Sequence, residues 1–469
     1  MCLSKLPSEM LIEIFKNLDG SIDRASVSQT CQQFYNIAEP ILYSSFTQND
    51  PEAGPLFIRS ILQKPHRANY VKSFKSRSSN LKYGHDRTSS PIISILSGLE
   101  PGYIGLIANT WPDDGCVGDR WLTDFYSGQW TAITCVILSL LPNLEELVLL
   151  VAREHILFED NQFRQPNCYP HILQSLAHRS CQNLEGPSGP PKSLRRLTFE
   201  FSDKLGTFAG IFRPFDYFCG IKDLTLVGTY DRELFKQPNT IVESLERLSL
   251  RDTAVPSALL VEFLPRFSKL KGLEYSSRDY WAQSGVAGPD AWLGGYDFTI
   301  GDFVSAIEPL HERLEELVIL TGDQRMSHGA VEAYQTLGSL QEFTRLRQLE
   351  STECLLLGHD KSSSDHWDGQ TTRRQGHYRA EELQKSISNL PNSLETLVIQ
   401  NCRVDIYDWL NHLLEQLESN RVELRALRNI RCVFLPYARL LPNDTGDMAS
   451  MKSDCSMRAQ TLGIDFTVA

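Results

Sequence analysis

The densest group of side chains that could bind a metal lies in and beside the polar segment 358–376. It combines imidazoles with carboxylates, which zinc accepts as ligands. No two of these residues stand four positions apart, the spacing that places two ligands on one face of a helix. The segment is rich in Ser, Thr and Gly, which favours a solvated surface loop over a metal site. The residues concerned are His359, Asp360, Asp365, His366, Asp368 and His377.

Two pairs of adjacent acids are the other candidates for chemistry, Glu145 with Glu146 and Glu315 with Glu316. On a strand, neighbouring side chains point to opposite faces, whereas general acid–base catalysis needs groups that converge on one substrate. The sequence contains neither a Gly-x-Ser-x-Gly nucleophile motif nor a Gly-x-x-x-x-Gly-Lys phosphate loop. We therefore expect no catalytic residues, no metal and no cofactor, and we predict that the chain is not an enzyme.

Composition restricts the partners. The chain has 469 residues and a formal net charge of −12, from 46 basic and 58 acidic residues, which argues against nucleic acid as a partner. Its most apolar stretch, 132–151, is interrupted by Pro142, Asn143 and two acids, so we expect no membrane span. The start of the chain lacks a secretory apolar core. Eleven cysteines without a Cys-x-x-Cys pair indicate reduced, mostly buried thiols, and we expect a cytoplasmic and/or nuclear protein.

A short pattern, apolar-x-x-Leu-x-apolar, recurs along most of the chain. Four central copies begin at residues 194, 221, 245 and 270, so their spacings are 27, 24 and 25 residues. These spacings fall within the period of leucine-rich repeats. One such unit cannot bury its apolar face alone, so neighbouring units must stack. The copies lie at 144–149, 194–199, 221–226, 245–250, 270–275, 314–319 and 394–399, with weaker ones at 71–74, 346–349 and 427–432.

Segments between the copies show helical spacing of apolar residues, which gives strands that alternate with helices. We predict an α/β leucine-rich-repeat solenoid over residues 47–440, with parallel strands on the concave face and helices on the convex face. The alternative is a non-repetitive α/β domain. Gly-rich or polar insertions are expected near 84–120, 284–296 and 358–376, and a poorly ordered tail at 441–469. Helices are expected at 130–141, 255–267, 301–311, 378–390 and 407–417.

Residues 1–46 form a separate, all-helical module in this prediction. Pro7 suits the first turn of a helix, Gly20 suits a helix end, and Asp23 could cap the second helix. Apolar residues recur at three- and four-residue steps behind Pro7. A unit this small buries little surface, so its apolar face suggests a docking surface for a partner. The alternative is an ordinary helical hairpin packed on the rest of the chain.

This module resembles an F-box. The resemblance depends on the Leu6-Pro7-Ser8-Glu9 opening, the Ile14-Phe15-x-x-Leu18 end of the first helix, the Cys31-x-x-Phe34 step and the Pro40-x-Leu42-Tyr43 ending. It implies binding to a Skp-type adaptor and, through it, to a cullin–RING ubiquitin ligase. Gln32 and Gln33 depart from the apolar pattern before Phe34. The adaptor-binding residues that the resemblance implies are Leu6, Pro7, Met10, Leu11, Ile14, Phe15, Leu18, Cys31 and Phe34.

An F-box followed by leucine-rich repeats resembles the divergent substrate receptors of fungi. The resemblance implies a substrate-recognition subunit of an SCF-type ligase, which binds the adaptor through the box and a protein substrate through the repeats. The alternative is a leucine-rich-repeat scaffold that acts outside any ligase and uses the box only as a cap. Between the core Leu positions, side chains should point onto the concave sheet. The predicted substrate-binding residues there are Arg196, Glu200, Asp223, Arg247 and Arg251.

Overall fold

The structure is a computed structural model, and the residues that it describes are 3–18, 20–48, 53–76, 130–151, 193–201, 220–228, 244–253, 255–277, 298–320, 336–358, 380–402, 406–434 and 445–469. These residues have a mixed α/β fold. Their strands form a parallel sheet, which is not closed and which follows chain order from β1 to β12. The chain divides into two compact units, residues 1–225 with 238–244 and residues 226–237 with 245–469.

The first unit begins with helices α1 (Ser8–Lys16), α2 (Ser21–Ser28) and α3 (Gln32–Tyr43), which follow a 3₁₀ turn at Leu3–Lys5. Strand β1 (Ser45–Gln48) leads into helix α4 (Ala53–Gln63) and a 3₁₀ segment at Pro65–Tyr70. The remaining elements are β2 (Ser73–Ser76), α5 (Trp130–Leu140), β3 (Glu146–Val151) and β4 (Arg196–Phe201). The boundary between the units falls within β5 (Asp223–Val227).

The second unit repeats a strand and a helix several times. Its strands are β6 (Arg247–Thr253), β7 (Gly272–Ser277), β8 (Glu316–Leu320), β9 (Gln348–Thr352), β10 (Thr396–Cys402), β11 (Asn429–Phe434) and β12 (Asp465–Val468). Its helices are α6 (Ser257–Phe263), α7 (Ile300–Ile307), α8 (Glu353–Leu357), α9 (Ala380–Ser388), α10 (Ile406–Glu418) and α11 (Thr445–Thr461). Single 3₁₀ turns at Leu264–Arg266 and Glu308–Leu310 extend α6 and α7.

The apolar-x-x-Leu-x-apolar pattern places its apolar residues in the core. In the copy that includes β3, Leu144 just before the strand and Leu147 and Leu149 within it are buried. Several strands begin with two adjacent N–H groups that donate to one carbonyl of the chain before the neighbouring strand. The N–H groups of Glu145 and Glu146 both donate to the Lys72 carbonyl, at 2.8 and 2.9 Å. The same pair of bonds recurs at Glu315 and Glu316, whose N–H groups donate to the Lys271 carbonyl at 2.7 and 3.0 Å.

All ten copies of the pattern, weak ones included, lie on strands β2 to β11, so the strand predictions are confirmed. The five predicted helices are confirmed as α5, α6, α7, α9 and α10, with ends that differ by a few residues. The insertions predicted near 84–120 and 284–296 lie outside the described residues, as does 358–376 except for Gly358. Whether the repeats are leucine-rich repeats in the family sense stays a prediction.

Two predictions, one about the end of the chain and one about a helix cap, are wrong. Residues 445–469 are not a poorly ordered tail, because α11 packs against α10 and β12 pairs with β11. The predicted boundary at residue 46 stays a prediction; Ser45 and Phe46, which precede it, pair with Ser73 and Phe74 in the sheet. Asp23 does not cap α2, since the capping position belongs to Gly20 and Asp23 lies in the first turn.

Candidate functional site

Hydrogen bonds to backbone groups hold both ends of α1. The Pro7 carbonyl accepts hydrogen bonds from the N–H groups of Met10 and Leu11 at 3.1 and 3.2 Å, so Pro7 occupies the capping position before α1. At the other end, the Arg24 guanidinium donates to the carbonyls of Lys16 and Leu18 at 3.1 and 3.0 Å. These donors satisfy carbonyls that a helix end leaves without partners.

The inner face of α1 forms the small core of the N-terminal helices. Leu11 and Phe15 are buried, together with Ala38 of α3. The Phe15 and Phe34 rings meet edge to face with their centroids 5.4 Å apart. Leu11 and Phe15 belong to the predicted adaptor-binding set, but in this structure their side chains are inside the module. Their contribution to binding would therefore be indirect, through the shape of the helix pair.

The outer face of α1 presents large apolar side chains to solvent. Met10 and Ile14 are 53% and 38% exposed, and Pro7 lies on the same helical face because these positions are three and four residues apart. Leu3 and Ile22 are 54% and 79% exposed on either side in the sequence. We call Pro7, Met10 and Ile14 the exposed apolar face. Leu3, Met10, Ile14 and Ile22 are four of the seven large hydrophobic side chains that are exposed among the described residues, the others being Leu56, Val261 and Met457.

The other predicted adaptor-binding residues border this arrangement. Leu6, Leu18 and Phe34 are half-buried, and Cys31 is exposed immediately before α3. Leu3 and Ile22 were not predicted from the sequence. The sequence contained one clue for Ile22. The short helix α2 has few other apolar residues, so it lacks the three- and four-residue spacing that marks a buried helix face.

The open face of the sheet carries the second predicted site. In the first unit, Arg196 is exposed and lies next to buried Leu197, as strand alternation predicts. Its guanidinium is 3.7 Å from the Glu146 carboxylate on the neighbouring strand, and the two residues are direct partners in the β3–β4 register. Glu200 and Asp223 are half-buried.

In the second unit the predicted arginines are engaged by acids of their own sheet. The Arg251 guanidinium donates to both carboxylate oxygens of Glu274, at 2.7 and 2.8 Å, and this bonding raises the pKa of Arg251 above its ordinary value. Arg247 reaches across β7 to donate to Glu316 at 2.8 Å. The side chain passes over Gly272, where an added Cβ would lie 3.1 Å from Arg247 Cγ. Arg247 and Arg251 are therefore exposed on the sheet and form ion pairs with acids of neighbouring strands.

The adjacent acids have separate partners, as divergent side chains should. Glu145 accepts a hydrogen bond from the Lys72 ammonium at 2.8 Å, which lowers the pKa of Glu145, while Glu146 faces Arg196. Among the described residues, no group of His, Cys, Asp and Glu has the arrangement of a metal site. The predicted cluster from His359 to His377 lies outside the described residues.

The described cysteines are free thiols, and three of them are buried. Cys402 and Cys432 lie on neighbouring strands, where a hydrogen bond between them and burial raise the pKa of Cys402. Burial raises the pKa of Cys455 to about 11. Such thiols stay protonated near neutral pH and are poor nucleophiles.

Comparison with protein families decides what the N-terminal helices are. A family model described as F-box-like matches residues 3–49, which include α1 to α3 and β1. The N-terminal module is an F-box-like domain. This domain supports the interpretation of the chain as an F-box protein. No curated protein shows a significant match to the sequence. Within the described residues, none of the helices is both long and apolar enough to cross a bilayer.

Proposed function

We propose that this chain is the substrate-recognition subunit of an SCF-type ubiquitin ligase. One observation carries the proposal: the F-box-like domain leaves an apolar helix face exposed, while Leu11, Phe15 and Ala38 form its small core. Large exposed apolar patches on soluble domains mark interaction sites. A Skp-type adaptor is the partner that F-box domains bind, so the exposed apolar face is the proposed contact.

In this proposal the repeats are leucine-rich repeats that bind the protein substrate. Two features of the second unit support a true repeat. Asp252 and Asn401 both have positive φ, 49° and 59°, at the same position after the strand pattern. Each is followed by a buried residue, Thr253 or Cys402, at an irregularity in strand pairing. Stacked copies of one local structure are what a solenoid requires.

The chain itself would do no bond chemistry. A receptor of this kind holds the substrate near the ubiquitin-transfer site, and the rate gain comes from raised local concentration. A shallow, charged sheet face suits a protein partner better than a small molecule. Neither a membrane nor nucleic acid is a partner in this proposal.

The competing proposal is a repeat scaffold outside any ligase, with the N-terminal helices only as a cap. Co-purification from cells with the adaptor and the cullin distinguishes the two. Wild type should recover both proteins, and Ile14→Lys should recover neither, because a charge would be buried in the contact. Met457→Lys is the matched control, since Met457 is 63% exposed on α11 and lies outside the F-box-like domain. Recovery of neither protein by wild type would favour the scaffold.

A further inference from the structure

A cluster of polar side chains joins α3 of the F-box-like domain to the segment that follows β1. Its centre is Glu39, whose side chain is 8% exposed and accepts a hydrogen bond from Arg67 Nε at 2.8 Å. The same carboxylate accepts from the Tyr35 hydroxyl and lies 3.2 Å from His66 Nε2. We call Tyr35, Glu39, Tyr43, Ser60 and Arg67 the Glu39 cluster.

Arg67, in the 3₁₀ segment Pro65–Tyr70, contacts both α3 and α4 through separate atoms of its guanidinium. Besides its bond to Glu39, Nη1 donates to the Ser60 hydroxyl of α4 at 2.7 Å, and Nη2 donates to the Tyr35 hydroxyl at 3.2 Å. The guanidinium carbon also lies 4.5 Å from the centroid of the Tyr43 ring. Because the fork is planar and rigid, these contacts together define one orientation of Arg67 relative to α3 and α4.

Apolar side chains also pack at this junction, between β1, α4 and β2. The Phe46 ring of β1 stacks on Phe57 at 3.9 Å and on Phe74 at 5.7 Å between centroids. Such packing is favourable but non-directional, whereas a buried ion pair contributes little net stability and can specify geometry. The junction therefore combines a stabilising apolar stack with a directional polar cluster.

We propose that Glu39 and Arg67 are positioning residues, which set the angle between the F-box-like helices and the first strands of the sheet. The proposal depends on the proposed function for its purpose, because a receptor must present its substrate at one place relative to the adaptor. The angle between the helices and the first strands is a property of the free chain and can be tested without an adaptor.

The test measures a distance in the full-length chain. Spin labels carried on noncanonical residues at Ser26 and Arg195, both exposed, report the separation of α2 from the start of β4 without using the native cysteines. The decisive variant is Glu39→Leu with Arg67→Leu, since apolar replacement of a buried ion pair is often neutral or stabilising. Arg67→Lys is the second variant, because an ammonium keeps the charge but lacks the fork.

Wild type should give one narrow distance distribution, and both variants should lose it while remaining folded. The matched control, Glu13→Leu with Lys16→Leu, removes an exposed ion pair of α1 and should leave the distribution unchanged. An unchanged narrow distribution in the variants would overturn the proposal. Unfolding of both variants would overturn it too, because the cluster would then be needed for folding rather than orientation. Failure of wild type to bind the adaptor would refute the proposed function and leave this result unaffected.

Discussion

Arg247 and Arg251 show how neighbouring side chains determine which charges are available to a partner. The sequence predicted that both side chains lie on the exposed face, and the structure places them there. It could not predict their ion pairs with Glu316 and Glu274, because the two partners of each pair are 69 and 23 residues apart in sequence. Pairing of distant residues depends on strand register, which a local pattern does not contain.

Glu39 gives a residue-scale prediction about acid stability. Burial alone would raise the pKa of the Glu39 carboxyl, but hydrogen bonds from Tyr35, Arg67 and His66 outweigh it and lower the pKa below the ordinary 4.5. Because the pKa of Glu39 is lower in the folded chain, the unfolded chain binds more protons in acid. The stability that the Glu39 carboxylate contributes is therefore fully present above about pH 4.5. It is lost as the pH falls through the folded pKa.

Chemical unfolding of wild type and Glu39→Gln between neutral pH and pH 3 checks this contribution. The difference in unfolding free energy between the two proteins should be largest near neutral pH and should shrink on acidification. A difference that stays constant across this range would show that the Glu39 carboxylate has no lowered pKa in the folded chain.

Elements at the two ends of the sheet were the hardest to predict. Strand β1 has only four residues and lacks the Leu pattern, so its Phe46 was interpreted as the end of the helical module. In α11, the buried side chains that the structure describes are the small residues Cys455 and Ala459, which give no apolar periodicity. By contrast, every strand that carries the apolar-x-x-Leu-x-apolar pattern was predicted, because the alternating apolar residues indicate which face of the strand is buried.

A pair of truncations tests whether β1 belongs to the sheet rather than to the F-box-like domain alone. Removing residues 1–43 keeps Phe46 between Phe57 and Phe74, whereas removing residues 1–48 exposes both rings. The chain that lacks residues 1–48 should be less stable than the chain that lacks 1–43 by up to about 3–5 kcal/mol, the usual cost of losing a packed aromatic side chain. Thermal unfolding followed by circular dichroism measures the difference, and equal midpoints would contradict the assignment.

For the molecule as a whole, the open sheet face remains the proposed substrate surface. Exchanging Arg251→Glu with Glu274→Arg inverts one ion pair while it keeps the net charge and the opportunity to pair. Stability should change by no more than about 1 kcal/mol, because the exchange keeps an opposite-charge pair on a face where Arg251 is 52% and Glu274 21% exposed. Recovery of substrate proteins, measured by quantitative mass spectrometry after affinity purification, should fall, and adaptor recovery should not. Unchanged substrate recovery would move the site elsewhere, for example to the segments 284–296 or 358–376.

The exposed apolar face is the proposed contact with a Skp-type adaptor. Calorimetric titration of the full-length chain with purified adaptor measures this contact. Wild type and Met457→Lys should bind with one-to-one stoichiometry and equal affinity. Met10→Asp with Ile14→Lys should weaken binding by at least about a hundredfold, as expected when two central apolar contacts of an interface are replaced by charges. Binding of this double variant at wild-type affinity would show that the adaptor does not bind at the exposed apolar face.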